Sequence, residues 1–262
     1  RAKKSAAQGL SDRLKQVRAM GSGQLCSFFG ADVQPEKIGS LPGGRNRVYS
    51  PVMTFWLMLG QAFRGSSLRD AVREAQASFA ELSGEVAGAT GSYSDARKRL
   101  PQSELDAINE RVCRGLAEDG ELLNGRRVMV VDGTGVQLSD TAENQDWYPQ
   151  PNTQKPGCGF PAAQLLVLMN LENGTIPHVA ITPGTVDESG VLLSELLPQL
   201  RRGDVLVGDR GFCSFLEFAL LAERGIDAVT RLHSARQWPA TTKDDEAFVL
   251  WKHPTPASLT LS

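Results

Sequence analysis

Two aspartates stand out for what surrounds them. Asp132 follows the apolar run Val128–Val131 and precedes Gly-Thr-Gly, and Asp209 closes a second apolar run inside DVLVGDRGF, 204–212. Short β-branched runs bounded by glycine have the character of buried strands. Each carboxylate is therefore expected at a strand end, held at the edge of a sheet. The two lie 77 positions apart. Ionised carboxylates brought side by side repel, and one pKa rises unless a cation intervenes. Mg2+ or Mn2+ supplies that charge and takes oxygen ligands. Such ions activate a nucleophile and stabilise the leaving oxygen of an in-line phosphoryl transfer. Asp132 and Asp209 are thus the expected metal ligands and catalytic acids. The glycines after them leave room for a phosphodiester. Arg210 and Arg231 are candidates to meet phosphate, although a structural ion pair explains Arg210 equally well.

These residues need elements that bring them together. After Gly125 the sequence reads as a strand at 127–132, a second strand entering at 135–138, and a long loop at 139–161 holding Pro149, Pro151, Pro156, Gly157 and Gly159. A strand follows at 164–171, an Asn173-Gly174 hairpin signal, and a return strand at 175–182. A helix at 187–200, a strand at 204–209, a helix at 214–224 and a strand at 226–232 complete the pattern. Three strands followed by helix, strand, helix, strand is the order of the ribonuclease-H-like fold, with antiparallel strands leading into right-handed crossovers. In that fold the first and fourth strands are neighbours, about 4.8 Å apart. Asp132 and Asp209 then meet. The tail beyond His233 is polar and proline-broken, with 247–251 as one more strand candidate.

The first 120 residues read as all-helical. Leu10, Leu14 and Val17 give an amphipathic helix in 1–20. Glycine and proline break 21–51 into loop with short pieces of helix. The stretch 52–63 is apolar almost all round, Ser67 can cap a helix over 68–79, and Ser103 with Asp106 suggests a capping box opening a helix to about 119. Gly84–Gly91 is small and flexible, and SYSDARKRL, 92–100, is a basic segment. The fold class expected is α/β: a ribonuclease-H-like mixed sheet over 125–262, preceded by a helical region over 1–124.

Composition narrows the partners less than distribution does. The 262 residues carry 22% charged side chains and a net charge of −2, which does not announce a nucleic-acid binder. Residues 1–20 nevertheless hold Arg1, Lys3, Lys4, Arg13, Lys15 and Arg18 against Asp12 alone. Such an arm suits phosphate, although a solvated terminus is the commoner case. The four cysteines show no CxxC spacing, which argues against a zinc site or a disulfide framework and for a cytoplasmic chain. No run is long enough to span a bilayer, no signal peptide is visible, and the chain opens on Arg1, so a native start is expected upstream.

The wording of the motifs adds a resemblance. VDGTGVQLSDTAENQ, the hairpin GFPAAQLLVLMNLENG and GDVLVGDRGFCS together resemble the DDE transposases of bacterial insertion sequences, of the family named for insertion sequence four. SYSDARKRLP resembles a segment those proteins carry ahead of the catalytic domain. The resemblance covers roughly 50–255. It implies a helical DNA-binding region, a divalent metal, and cleavage and strand transfer at transposon ends, in a homodimer on terminal inverted repeats and target DNA. It makes Asp132 and Asp209 the first two catalytic acids, with Arg210, Arg231, Arg97, Lys98 and Arg99 as DNA contacts. The family's third acid is a glutamate in a Tyr…Arg…Glu…Lys pattern on a later helix, and that pattern does not occur before Ser262. Residues 234–262 resemble the start of the β-insertion that precedes it, and Glu246 lies in a stretch without a helical face. The expectation is a chain truncated before the third acid, with weak metal binding and low turnover. A non-catalytic DNA-binding remnant is the alternative.

Other residues have plainer readings. His178, His233 and His253 lack metal-ligand spacing. Trp147 and Tyr148 either stack on a base at an opened DNA end or anchor the long loop, with the anchor favoured. Asp140, Glu143 and Asp146 read as solvated loop acids, and Asp187 and Glu188 as acids favoured by a helix N-terminus. A haloacid-dehalogenase phosphatase needs an acid where Thr134 stands, and no GxGxxG supports a Rossmann fold.

Overall fold

The computed structural model describes residues 2–35, 48–83, 89–116, 122–151, 155, 157 and 159–232, with side chains omitted at 2–10 and 78–83. The chain divides into two compact units, Arg1–Gly115 and Leu116–Ser262. Among the described residues no helix is long and apolar enough to cross a membrane.

Among its described residues the first unit forms α1 (Ala2–Ala19), α2 (Ser22–Val33), α3 (Pro51–Arg64), α4 (Leu68–Ser83), α5 (Thr90–Lys98) and α6 (Gln102–Gly115), and no strand. Its start and stop signals are largely legible. The Ser50 hydroxyl accepts the Met53 N–H with Pro51 in the first turn, and Gly65 closes α3 at φ 62°. Ser67 caps α4 as expected, its hydroxyl accepting the Asp70 N–H while the Asp70 carboxylate accepts the Ser67 N–H and hydroxyl. One apolar cluster joins Tyr49, Met53, Leu57, Val72, Ala75 and Tyr93; another joins Leu25, Val33, Trp56 and Ile108.

The second cluster explains a correction. The stretch 21–51, expected as loop with short helical pieces, begins with the continuous helix α2, Ser22–Val33. Gly21 opens it with its N–H donated to Gln24 Oε1, and Leu25 and Val33 are buried on one side. The burial of that side outweighs the roughly 1 kcal/mol that a mid-helix glycine costs. Helix α6 ends at Gly115, and residues 117–121 lie outside the described residues.

Among its described residues the second unit forms a five-stranded mixed sheet in the order β3-β2-β1-β4-β5, the ribonuclease-H-like arrangement. The strands are β1 (Val128–Gln137), β2 (Ala162–Asn170), β3 (His178–Pro183), β4 (Val205–Gly208) and β5 (Asp227–Thr230). β1 runs antiparallel to β2 and parallel to β4; β2 pairs antiparallel with β3, and β4 parallel with β5. Met129, Val131, Leu166, Leu168 and Leu206 bury one face under Leu192, Leu196, Phe212 and Leu221.

Three expectations for this unit change. Residues 127–132 and 135–138 are not two strands but one, because Gly133 and Gly135 keep their place in the ladder opposite Leu166 and Gln164. Asp132 is therefore in mid-strand. The third strand starts at His178, not at Thr175. The helix expected over 187–200 is α8 (Glu188–Val191), which widens into a π-type turn at Leu192–Leu196 and tightens at Leu197–Gln199. Pro198 accounts for this: its ring excludes an ordinary helical carbonyl four residues back, and the Leu197 N–H reaches to Leu192 O instead. The long loop folds a short helix, α7 (Ala142–Trp147), capped by Thr141. Helix α9 (Phe215–Glu223) is opened by a reciprocal Ser214–Glu217 box. The strand candidate at 247–251, Glu246 and the remainder of the tail lie outside the described residues.

Candidate active site

The parallel pairing of β1 with β4 sets the site. Val128 faces Val205, Met129 faces Leu206, and Val130 faces Val207, a constant offset of 77. Asp132 and Asp209 carry the same offset, two steps past the last pair. β4 stops at Gly208, but Asp209 stays extended (φ −77°, ψ −173°) before a tight 3₁₀ turn over Arg210–Phe212. Neighbouring strands lie about 4.8 Å apart, so both carboxylates leave the sheet at one place. Both residues are exposed. One oxygen of each is held by backbone: Asp132 Oδ1 accepts the Gly133 N–H at 3.0 Å, and Asp209 Oδ1 accepts the Gly211 N–H at 2.7 Å. Among the described residues no other hydrogen bond reaches either carboxylate, which leaves an oxygen of each turned to solvent.

A third carboxylate comes in from α8. Glu188 receives a hydrogen bond from the Gln164 amide on β2. Its carboxylate fills the place where a Cβ on residue 133 would stand, with Cδ 3.0 Å from that point. Its Oε2 lies 3.9 Å from the corresponding point at Gly211. Partial burial, and next the charge of Asp209, push the Glu188 carboxyl above its ordinary value; the Gln164 bond works the other way, and Asp132 and Asp187 add to the rise. The sequence reading gave Asp187 and Glu188 one role at a helix end. Asp187 has it, accepting the Gly190 N–H as the cap. Glu188 also stands in the first turn of α8, and its carboxylate occupies the space beside Gly133. The sequence signal was the glycine after each aspartate, which marks space that another side chain takes.

The remaining candidates are placed as follows. Arg210 is exposed in the turn after Asp209, and among the described residues it has no ion pair, so its structural alternative finds no partner there. Arg231 is exposed just past β5. Arg97 and Lys98 are exposed in the last turn of α5, with the Arg97 guanidinium 6.0 Å from the Tyr93 ring centre, and Arg99 is its C-cap. Past Asp132, β1 walls a cleft of about 630 Å³ whose lining includes Gln137, Pro151, Lys155 and Phe160. Trp147, 72% exposed, does not anchor the loop by burial, whereas Tyr148 is half-buried and its carbonyl receives the Ala162 N–H.

An all-carboxylate oxygen set suits Mg2+ or Mn2+ and no softer metal. Among the described residues no three His, Cys, Asp or Glu side chains form a ready-made metal cluster. The set is a pair with a third acid tied back by Gln164.

Residues 123–256 match the family described as Transposase DDE domain. Among curated proteins no sequence matches the chain. Two solved structures are similar in part. One is the Mos1 transposase paired-end complex with left transposon end, at 11% identity over 75% of this chain and 62% of that one, with a TM-score of 0.29. The other is the Mos1 mariner paired-end complex with Mn, at 9% identity over 81% of this chain and 68% of that one, with a TM-score of 0.26. The chain spans 62% of the length of the first, and at those scores neither superposition assigns a role to any residue.

Proposed function

The chain belongs to the transposase DDE domain family, a family of phosphoryl-transfer enzymes, and on that premise we propose that it cleaves DNA at transposon ends and joins the cut strand to a target. The observation that carries this reading is the shared register of Asp132 and Asp209 on adjacent parallel strands. We take these two as the catalytic acids. They would hold a divalent cation, Mg2+ or Mn2+, which when bound supplies positive charge to the phosphate and activates the attacking oxygen. The backbone bonds from Gly133 and Gly211 fix each carboxylate so that little reorganisation remains at the moment of reaction.

Arg210, beside Asp209, is suited to grip the phosphate under attack, and Arg231 a neighbouring one. The cleft along the far half of β1, with Lys155 on its wall, is the lane for the strand approaching Asp132. The basic end of α5, Arg97 to Arg99, and the basic arm at 1–20 are assigned to duplex backbone in the helical unit, where contacts of this kind are salt-dependent. A homodimer on paired ends, and the specific kinship with insertion sequence four, belong to the same proposal.

The test is a nicking assay on supercoiled DNA carrying the element's ends, with Mg2+ or with chelator. Cleavage that needs Mg2+ and is lost in Asp132→Asn and Asp209→Asn supports the reading. End-specific binding without cleavage favours the non-catalytic DNA-binding alternative and sinks this one.

A further inference from the structure

One aromatic residue in the sheet unit is both exposed and held. Phe160 is 53% exposed, yet the backbone on either side of it is fixed. The Gly159 carbonyl receives the Gln145 side-chain amide at 3.3 Å, and the Pro161 carbonyl receives the Leu138 N–H at 2.8 Å. The half-buried Gln150 amide ties down the segment ahead of it, donating to the Lys155 carbonyl and accepting the Gly157 and Gly159 N–H groups. Phe160 and Lys155 thus line the cleft of about 630 Å³ together with Val136 of β1 and Pro151. Lys155 is the one charged side chain among the described residues that line it, and it is exposed. A lone surface aromatic needs no explanation. An aromatic on a fixed backbone, in a cleft with a single cation, offers a flat apolar face beside a charge that suits an anion, and little freedom is lost when something stacks on it. The cleft is also aligned with the acids. Strand side chains alternate, so Val136 shares a face with Asp132 and Thr134, and all three are exposed. Four residues at ~3.3 Å each put Val136 about 13 Å from Asp132 along the strand. That is about four nucleotides of stacked DNA at ~3.4 Å each, and fewer of an unstacked strand.

We propose that this cleft holds one unpaired base of the DNA strand, stacked on the Phe160 ring, with the adjoining phosphate on Lys155 Nζ. The inference rests on the proposed DNA-cleaving function and deepens it by naming the form of the substrate there: a strand peeled from its duplex on this side of Asp132. A paired base has both faces taken by its neighbours in the duplex, whereas an unpaired one has a face free for the ring. Every base has such a face, so the cleft selects for strandedness and not for sequence.

The experiment uses the full chain in chelator and measures binding of a short single-stranded oligonucleotide and of a blunt duplex by fluorescence anisotropy, for wild type, Phe160→Ala, Phe160→Trp and Lys155→Gln. A 5-iodouracil version of the single strand is photocrosslinked to wild type and the site mapped by mass spectrometry. The expected result is a crosslink at Phe160, and single-strand binding weakened about fivefold or more in Phe160→Ala, the least that the loss of one base stack brings. Phe160→Trp should bind as wild type does, and the duplex should bind Phe160→Ala unchanged. In Lys155→Gln the slope of log affinity against log salt should be shallower by about 0.7, one single-strand phosphate. Wild-type single-strand affinity in Phe160→Ala, or an equal loss for single strand and duplex, overturns the inference. So does self-association of wild type that Phe160→Ala abolishes while single-strand binding stays, which makes the cleft a contact between copies. Should Phe160→Ala melt below wild type, the crosslink decides, and one confined to peptides outside 135–162 refutes the proposal. In each of these cases Mg2+-dependent nicking lost in Asp132→Asn leaves the DNA-cleaving reading standing. Phe160-dependent single-strand binding without any nicking removes that reading and keeps the base-stacking cleft.

Discussion

Each unit of this chain gathers charged side chains around a glycine, and the two gatherings differ in one respect. In the helical unit, Gly60 makes room for the Arg64 guanidinium, since a Cβ there would stand 2.6 Å from Arg64 Nη2. Arg64 pairs with Glu74, donates to the Met20 carbonyl at 2.6 Å, and Glu74 accepts the Ser22 N–H. Every charge has its opposite, and the side chains are only 21% and 17% exposed. In the sheet unit, Gly133 makes room for Glu188, but the neighbours are Asp132 and Asp209, of the same sign. The first arrangement is complete in itself and serves to tie α2, α3 and α4. The second shows no opposite charge among the described residues. A glycine that admits a side chain therefore says little about purpose; whether the charges close among themselves says much more.

The largest effect separating the two should be on activity. Asp132→Asn is expected to lower Mg2+-dependent DNA cleavage by about 10³-fold or more, the several kcal/mol a catalytic metal contributes, while the melting temperature holds or rises because a like charge has gone. A melting temperature that falls by several degrees would make Asp132 structural and erase the contrast. The balanced cluster should respond in the opposite way. Arg64→Met leaves Glu74 without its partner and should cost about 2 kcal/mol, less than the roughly 3–5 of a fully buried pair, read by urea denaturation. Smaller still, Gly60→Ala should cost about 1 kcal/mol by crowding Arg64, whereas Gly133→Ala, which displaces a carboxylate set among like charges, should leave stability closer to wild type. Equal stability losses in the two alanine variants would show the glycines to be doing the same job.

The smallest effect concerns a carboxylate shifted the other way. Hydrogen bonds from the Ser67 hydroxyl and then the Ser67 N–H hold the Asp70 carboxyl below its ordinary value. A lowered folded pKa adds stability that is present above the unfolded value and lost as pH falls through the folded one. Ser67→Ala should move the Asp70 titration, followed by NMR, upward toward the ordinary value and shrink that acid-side loss. An unmoved titration would detach Asp70 from its cap.

How much of this was legible follows from what each feature depends on. The adjacency of Asp132 and Asp209 could be read because strand pairing follows from the order of apolar runs, and the fold then fixes which strands are neighbours. The continuity of β1 through Gly133 and Gly135 could not, because a glycine pair looks like a turn until Leu166 and Gln164 are placed opposite it. Helix α2 was hidden for a similar reason: its glycines weaken it locally, and the burial of Leu25 and Val33 that rescues it is tertiary. Glu188 was read as an acid at a helix start, and it stands in the first turn of α8. Hidden from the sequence was its tertiary setting, the space left by Gly133 and the amide of Gln164.

The constant offset between β1 and β4 has a consequence for variation in this chain. Lengthening the connection at 171–177 or the loop at 139–161 leaves the acids where they are, since both segments lie outside the pairing. Deleting a single residue within Val205–Gly208 does not. The strand would slip by one, Asp209 would swing to the far side of the sheet, and a protein with all its acids present would have no place where they meet.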